Sequence, residues 1–230
     1  MYPVYPSIPF WPGPSPWQRR PGGHWATRVI TPPNDDDVLT VAQLQERARI
    51  VTGDEESTAL MQSIRTAARQ QVEGDIDCAL TTQQIEVAFD RLPVQPLSYG
   101  FLYSRYIPLP LPLPPLQSVD SITLTNPDGT TADLDPATTV TVDALSMPAR
   151  VFWTGPPLPF FTTAIQPLRM TLTVGWTATT LPEALRTCVG LLASHLLTTG
   201  RDRVVVGERV AAMPFGYEEI IAGYRIISLV

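Results

Sequence analysis

Two cysteines, two histidines and a few acidic pairs are the residues of this chain whose chemistry could be put to use. Cys78 and Cys188 each fall in a stretch read as helical, with no second cysteine or histidine at metal-ligand spacing. That pattern points to two buried free thiols, and hence to folding in a reducing compartment. His24 lies in a proline-rich arm and His195 among leucines of a long helical stretch, so each reads as a satisfied core or interface histidine rather than a ligand or base. Glu55-Glu56 and Glu218-Glu219 are adjacent pairs. Neighbours on a helix point about 100° apart, which suits solvated faces better than a shared proton. Ser63 and Ser104 lack a context that would activate a hydroxyl, and the sequence carries no phosphate-binding glycine loop, zinc spacing or serine elbow. The expectation is therefore no catalytic residue, no metal and no cofactor, hence no enzyme.

What remains is chemistry for contact. The first 33 residues hold nine prolines and three of the five tryptophans, without helical or strand periodicity, so they read as an extended arm with no core of its own. Trp11, Trp17 and Trp25 are anchors for a partner or neighbouring subunit in this reading; a floppy tail is the plainer one. Arg201, Arg203 and Arg209 form a basic concentration that reads as a protein contact before a nucleic-acid patch. The chain ends on Ile226, Ile227, Leu229 and Val230, an exposed apolar end unless something covers it. P-x-x-P ligands for an SH3-like groove can be drawn at 9–12 and 93–96, a weak motif in a chain with 25 prolines.

The elements that must carry these residues follow from periodicity. After the acidic run Asp35-Asp36-Asp37, Thr40 and Gln43 form a capping box, and Val41, Leu44, Ala48 and Val51 share one helical face. Gly53 ends that helix. A second runs to about Leu80, with Leu60, Met61, Ile64, Ala68 and Val72 as its apolar stripe. From Phe89 to Trp176 the period is two, clearest at Leu168, Met170, Leu172, Val174 and Trp176, with a tight turn at Asn126-Pro127-Asp128-Gly129. The run Pro108 to Pro115 can be neither helix nor central strand, and reads as a polyproline lead-in that sets this sheet against a neighbour. A long helix from Leu181-Pro182-Glu183 buries Leu185, Cys188, Val189, Leu192 and Leu196. After it, 201–214 reads as a hairpin or extended loop, and Tyr217, Ile220, Ile221 and Tyr224 make a last short helix. The class is α+β: a small helical bundle with an antiparallel β-sheet inserted at about 89–176 and extended Pro-rich arms, divided as an arm, 1–33, and a main domain, 34–230.

At 44% hydrophobic, 230 residues can bury one good core. All sixteen basic residues are arginine, and the net charge of −6 disfavours wrapping duplex DNA by phosphate neutralisation. It still suits a passage through which DNA slides without sticking. The sequence has no apolar run of about 18 residues, and prolines interrupt the first thirty where a signal peptide needs a continuous apolar core, so neither membrane insertion nor export is expected.

Several segments in order resemble one family: ITPPNDDDVLTVAQLQERARI, DEESTALMQSIRTAARQQVEGDI, RLPVQPLSYG, LPPLQSVDSITLTNPDGTTADL, TVGWTATTLPEALRTCVGLLASHLLTTGR and MPFGYEEIIAGYRI. They are similar to the head-tail connector, or adaptor, proteins of tailed bacteriophages and gene transfer agents, over about Val29 to Ile227. The resemblance implies a structural protein of the virion neck, assembled in the host cytoplasm. It would form a ring of about a dozen copies beneath the portal, extend the DNA channel, and dock the stopper or tail-completion protein. DNA would pass the lumen without sequence-specific binding. The arm before Val29 and the stretch from Tyr99 to Leu113 exceed the family pattern. Portal contact is expected from the region 201–230, and a lumen face that is neutral or acidic. The other class to weigh is a nucleic-acid-binding DNA-packaging factor, which salt-dependent DNA affinity would favour; an orphan hydrolase stands third.

Overall fold

A computed structural model describes residues 25–48, 55–90, 94–95, 105–106, 108–156, 158, 164–198 and 215–226. The fold is α+β, as the periodicities indicate. In chain order the strands are β1 (Trp25–Thr31), β2 (Gln83–Phe89), β3 (Val94–Gln95), β4 (Arg105–Tyr106), β5 (Leu109–Pro110), β6 (Leu116–Thr125), β7 (Thr131–Leu134), β8 (Val140–Asp143), β9 (Arg150–Trp153) and β10 (Leu168–Val174). The helices are α1 (Val41–Ala48), α2 (Glu55–Ile76), the single turn α3 (Pro136–Thr139), α4 (Glu183–Thr198) and α5 (Phe215–Tyr224).

The helices form where local signals are strongest. Thr40 N–H donates to Gln43 Oε1 at 2.9 Å and Gln43 N–H to Thr40 Oγ1 at 3.2 Å, so the capping box starts α1 as expected. Leu44, Met61, Ala68, Val72, Leu185, Val189, Leu192 and Tyr217 meet in one buried cluster, with Ile64 and Leu196 at its margin. Leu60 does not join it; its side chain is half-exposed. α2 stops at Ile76, short of the expected Leu80. Asp77 takes the left-handed φ of 63°, and Cys78 therefore sits in the following turn and not in a helix.

The sheets have their own core. Strand order β1-β2-β10-β6-β7 makes a five-stranded antiparallel sheet; β5-β9-β8 makes a three-stranded one, and β3 pairs with β4. Inward residues of both larger sheets, among them Ile85, Val87, Ile122, Leu172, Val151 and Trp153, share one hydrophobic cluster. β10 shows the cleanest alternation, with Leu168, Met170, Leu172 and Val174 all buried. Asn126 N–H donates to Thr130 O at 2.8 Å and Gly129 has φ +86°, closing the expected turn between β6 and β7.

Three expectations are corrected. The sheet is not confined to 89–176, because β2 lies before that segment and β1 pairs with it from Trp25↔Phe89 to Thr31↔Gln84. The last residues of the supposed arm are thus an edge strand, where the neighbouring prolines 32 and 33 cost no ladder bond. The Pro-Leu run is no strap toward a neighbour. Its Leu109 and Pro110 pair with Val151 and Arg150, Leu111 and Leu113 are buried in the sheet core, and Pro114 O and Pro115 O accept from Ala79 and Gly175 N–H. Alternating leucines gain more by entering the chain's own core than by waiting for a partner's.

Candidate functional site

A buried charge cluster joins the two halves. Arg69 of α2 donates from Nε to Asp35 and from a terminal nitrogen to Glu73, and Thr66 Oγ1 donates to Asp35. Glu73 Oε1 in turn accepts Leu80 N–H at 2.9 Å. One turn earlier on the helix, Arg65 binds Asp36 and donates to Leu39 O at 3.0 Å. The acidic run is therefore a short 3₁₀ turn whose carboxylates clamp onto α2, and Arg186 of α4 holds its exit through Asp37 O and Val38 O. Burial raises the Glu73 carboxyl above its ordinary value, against the opposing pull of Arg69 and the Leu80 N–H. The cluster positions β1 and β2 against the helices. Among the described residues no group of three His, Cys, Asp or Glu could hold a metal ion, and no helix is long and apolar enough to cross a membrane.

Beside this cluster, a pocket of about 420 Å³ opens between β1, α2 and β2, with Val29 and Ile85 on its apolar side and Arg69 and Glu73 on its polar side. Its rim continues onto the edge strand, where Val29 is 52% and Ile30 46% exposed. The second exposed apolar surface is the β8–β9 hairpin. Asp143 organises its loop by accepting from the Leu145 and Ser146 N–H groups at 3.2 Å, from Ser146 Oγ at 2.6 Å and from Arg150 at 2.6 Å. The Ser146 hydroxyl and the Arg150 guanidinium hold the Asp143 carboxyl down to about 2. The loop is thus fixed while Leu145, 99% exposed, and Met147 project from it; Val142, opposite the buried Val151, and Phe152, opposite Thr141, are exposed on the two faces of the hairpin.

The outer face of the large sheet is polar. Glu86 on β2 lies 2.7 Å from Arg28 on β1 and 4.0 Å from Arg169 on β10. A bulge in β6 between Val119 and Ser121 aims Asp120 at Ser118, Gln84 and Thr173, all of which donate to it.

Of the contact residues singled out from sequence, Trp25 and Ile226 are described, and both turn inward. Trp25 packs on the sheet core with its ring 6.4 Å from that of Phe89. Ile226 packs against the helical cluster, and its N–H donates to Ile76 O at 3.2 Å. Each is half-buried against its own chain, and the rest of its apolar surface stays exposed. Trp11, Trp17, Arg201, Arg203, Arg209, Ile227 and Leu229 lie outside the described residues, as do His24, Ser104 and the four P-x-x-P prolines, Pro9, Pro12, Pro93 and Pro96. Both cysteines are buried and free, as expected; burial, then the nearby Glu73 charge, pushes the Cys78 thiol up to about 12. Glu218 and Glu219 are exposed, in keeping with a solvated face. The hairpin surface was missed, although apolar residues inside the loop sequence DALSMPAR were its visible signal.

No family model and no curated protein matches the chain. Solved structures do. Superposition on a chain in the neck of an empty GTA particle computed with C6 symmetry gives a TM-score of 0.66 at 22% identity, over 89% of this chain and 97% of that one. A chain in the virion of a native gene transfer agent (GTA) particle gives 0.64 at 22% identity, with the same coverage. The fold is that of a gene transfer agent neck chain. A third match, in the neck of a native GTA particle computed with C12 symmetry, gives 0.61 at 21% identity, again over 89% and 97%. The neck fold spans both hydrophobic cores, since 89% of this chain exceeds what either core alone contains.

Proposed function

We propose that this chain is a structural virion protein of the neck, a head-tail connector that forms a ring beneath the portal. In that position it extends the DNA channel and offers a platform for the stopper and tail. One observation carries the reading: nearly the whole length of a neck chain superposes on nearly the whole of this one, in particles computed with C6 and C12 symmetry. Repetition about an axis asks each copy for surfaces that suit its neighbours, and two exposed apolar surfaces on ordered elements support that. The net charge of −6 and the mixed-charge outer sheet face suit a wall past which DNA moves. In this reading the arm before Trp25, with Trp11 and Trp17, docks on other neck subunits. The region 201–230, with Arg201, Arg203, Arg209, Ile227 and Leu229, meets the portal.

Deleting the gene in the producing host tests the reading. Filled heads without attached tails are expected, and labelled protein restored in trans should appear at the head-tail junction in electron micrographs. Normal tailed particles lacking the protein would overturn it. DNA affinity falling steeply with salt would instead support a packaging factor.

A further inference from the structure

Of the seven large hydrophobic side chains exposed among the described residues, six fall on two edge elements. Val29 lies on the pocket face and Ile30 on the opposite face of β1, an edge of the five-stranded sheet among the described residues; Leu145 and Met147 lie in the loop of the β8–β9 hairpin, with Val142 and Phe152 on its two opposite faces, and β8 is an edge of the three-stranded sheet among the described residues. An isologous dimer needs one self-complementary patch. A closed ring of identical copies needs two different ones, because each copy shows one surface to the neighbour ahead and another to the neighbour behind. Two unlike patches on two unlike edges meet that requirement.

We propose that the β8–β9 hairpin of one copy docks on the β1 edge and its adjoining pocket in the next copy. The proposal rests on the ring reading above and names its subunit contact. The two surfaces have the shapes of a knob and a hole. Four hydrogen bonds to Asp143 hold the loop in one conformation, so presenting Leu145 and Met147 to a neighbour costs little further ordering. Truncating one buried leucine leaves a cavity on the order of 150 Å³, so two side chains of that size fit a pocket of about 420 Å³. Val29 sits both on the pocket wall and on the exposed edge, so an inserted hairpin covers the pocket and the strand together. Covering the β1 edge also removes a strand edge that exposed Val29 and Ile30 would otherwise leave open to unspecific pairing.

The test is a complementation by mixing. Leu145→Asp spoils only the knob and Val29→Asp only the hole; both sites are exposed, and each variant is checked by its melting temperature, with Val29→Lys replacing Val29→Asp if the latter melts early. By sedimentation at high concentration, full-length wild-type protein should self-associate, while each variant alone should lose apparent affinity by about 30-fold or more. Mixed, the two variants retain one intact knob and one intact hole, and should form 1:1 heterodimers that grow no further. A mixture that stays monomeric while wild type associates overturns the proposal and leaves the ring reading intact. Wild type and variants that associate equally also overturn it. Wild type that is monomeric at every concentration overturns the hairpin contact, and tail attachment in the gene-deletion experiment then judges the neck reading separately.

Discussion

Arg69→Met removes the cation that Asp35 and Glu73 share, and its cost can be worked from their surroundings. The Asp35 side chain is 14% exposed and regains some water, whereas that of Glu73 is 3% exposed and cannot. A buried carboxylate stripped of its partner costs about 3–5 kcal/mol. Glu73 has one escape, which is to bind a proton. Doing so at pH 7 from an ordinary value of 4.5 costs about 3.4 kcal/mol, and about 1.4 kcal/mol less for each pH unit below that. At pH 7 the variant should therefore lose about 3 kcal/mol, or ~6–12 °C in melting temperature for a chain of this size. The sign with pH follows from proton uptake. A carboxyl raised in the folded state binds more protons folded than unfolded between its two values, so stability falls as pH rises through that window. Removing Arg69 raises Glu73 further and widens the window upward. Urea denaturation followed by circular dichroism at pH 7 and pH 5 should show the gap between variant and wild type shrinking at pH 5. Adding Glu73→Gln to Arg69→Met should restore most of the loss at pH 7 and abolish the extra pH dependence. A gap equal at both pH values, or one that Glu73→Gln fails to narrow, would refute the reasoning.

Leu192→Ala empties a site that is 3% exposed between the helices and should cost about 2–5 kcal/mol; an unchanged denaturation midpoint would remove it from the core. Gly175→Ala should destabilise more than its single carbon suggests, because φ is +98° and an added Cβ would lie 2.0 Å from Thr81 O. Its melting curve checks this, and a stable Gly175→Ala would mean the β10 exit has other conformations open to it. Cys78 should resist alkylation at pH 8 in the folded protein and react once unfolded, since its thiol is buried and pushed up to about 12; labelling at the unfolded rate without denaturant would contradict that placement.

What the sequence disclosed was what lies close along the chain. The Thr40–Gln43 capping box, the Asn126–Gly129 turn and the β10 alternation each need only a few consecutive residues to be recognised, and each is in place. β2 also alternates, with Ile85, Val87 and Phe89 inward, but it begins with the buried Gln83 directly after a helix exit, which blurs its start. β1 escaped because its pairing with β2 is long-range and its sequence neighbours are prolines. Composition correctly barred the Pro-Leu run from helix and central strand. It could not say whether Leu111 and Leu113 would enter this chain's core or another's. Of the candidate site, the charges were visible and their burial was not. Arg69 and Glu73 at i,i+4 look like an ordinary surface pair until Asp35 and the Leu80 N–H close over them.

The same distinction separates Trp25 and Ile226, half-buried against their own chain, from the hairpin, whose apolar residues stay in water. A large apolar residue in an arm or at a chain end attracts attention as a partner anchor, yet nothing prevents it from folding back, and burial against one's own chain costs no translational freedom. Trp25 and Ile226 take that route in part. Leu145 cannot. Its loop is the six residues 144–149 between Asp143, the last residue of β8, and Arg150, the first of β9, which form an ion pair, and the Asp143 contacts that fix the loop also hold Leu145 away from either core. An apolar side chain that local hydrogen bonding keeps in water is a stronger sign of an interface than one in a segment free to choose, because the fold itself withholds the alternative.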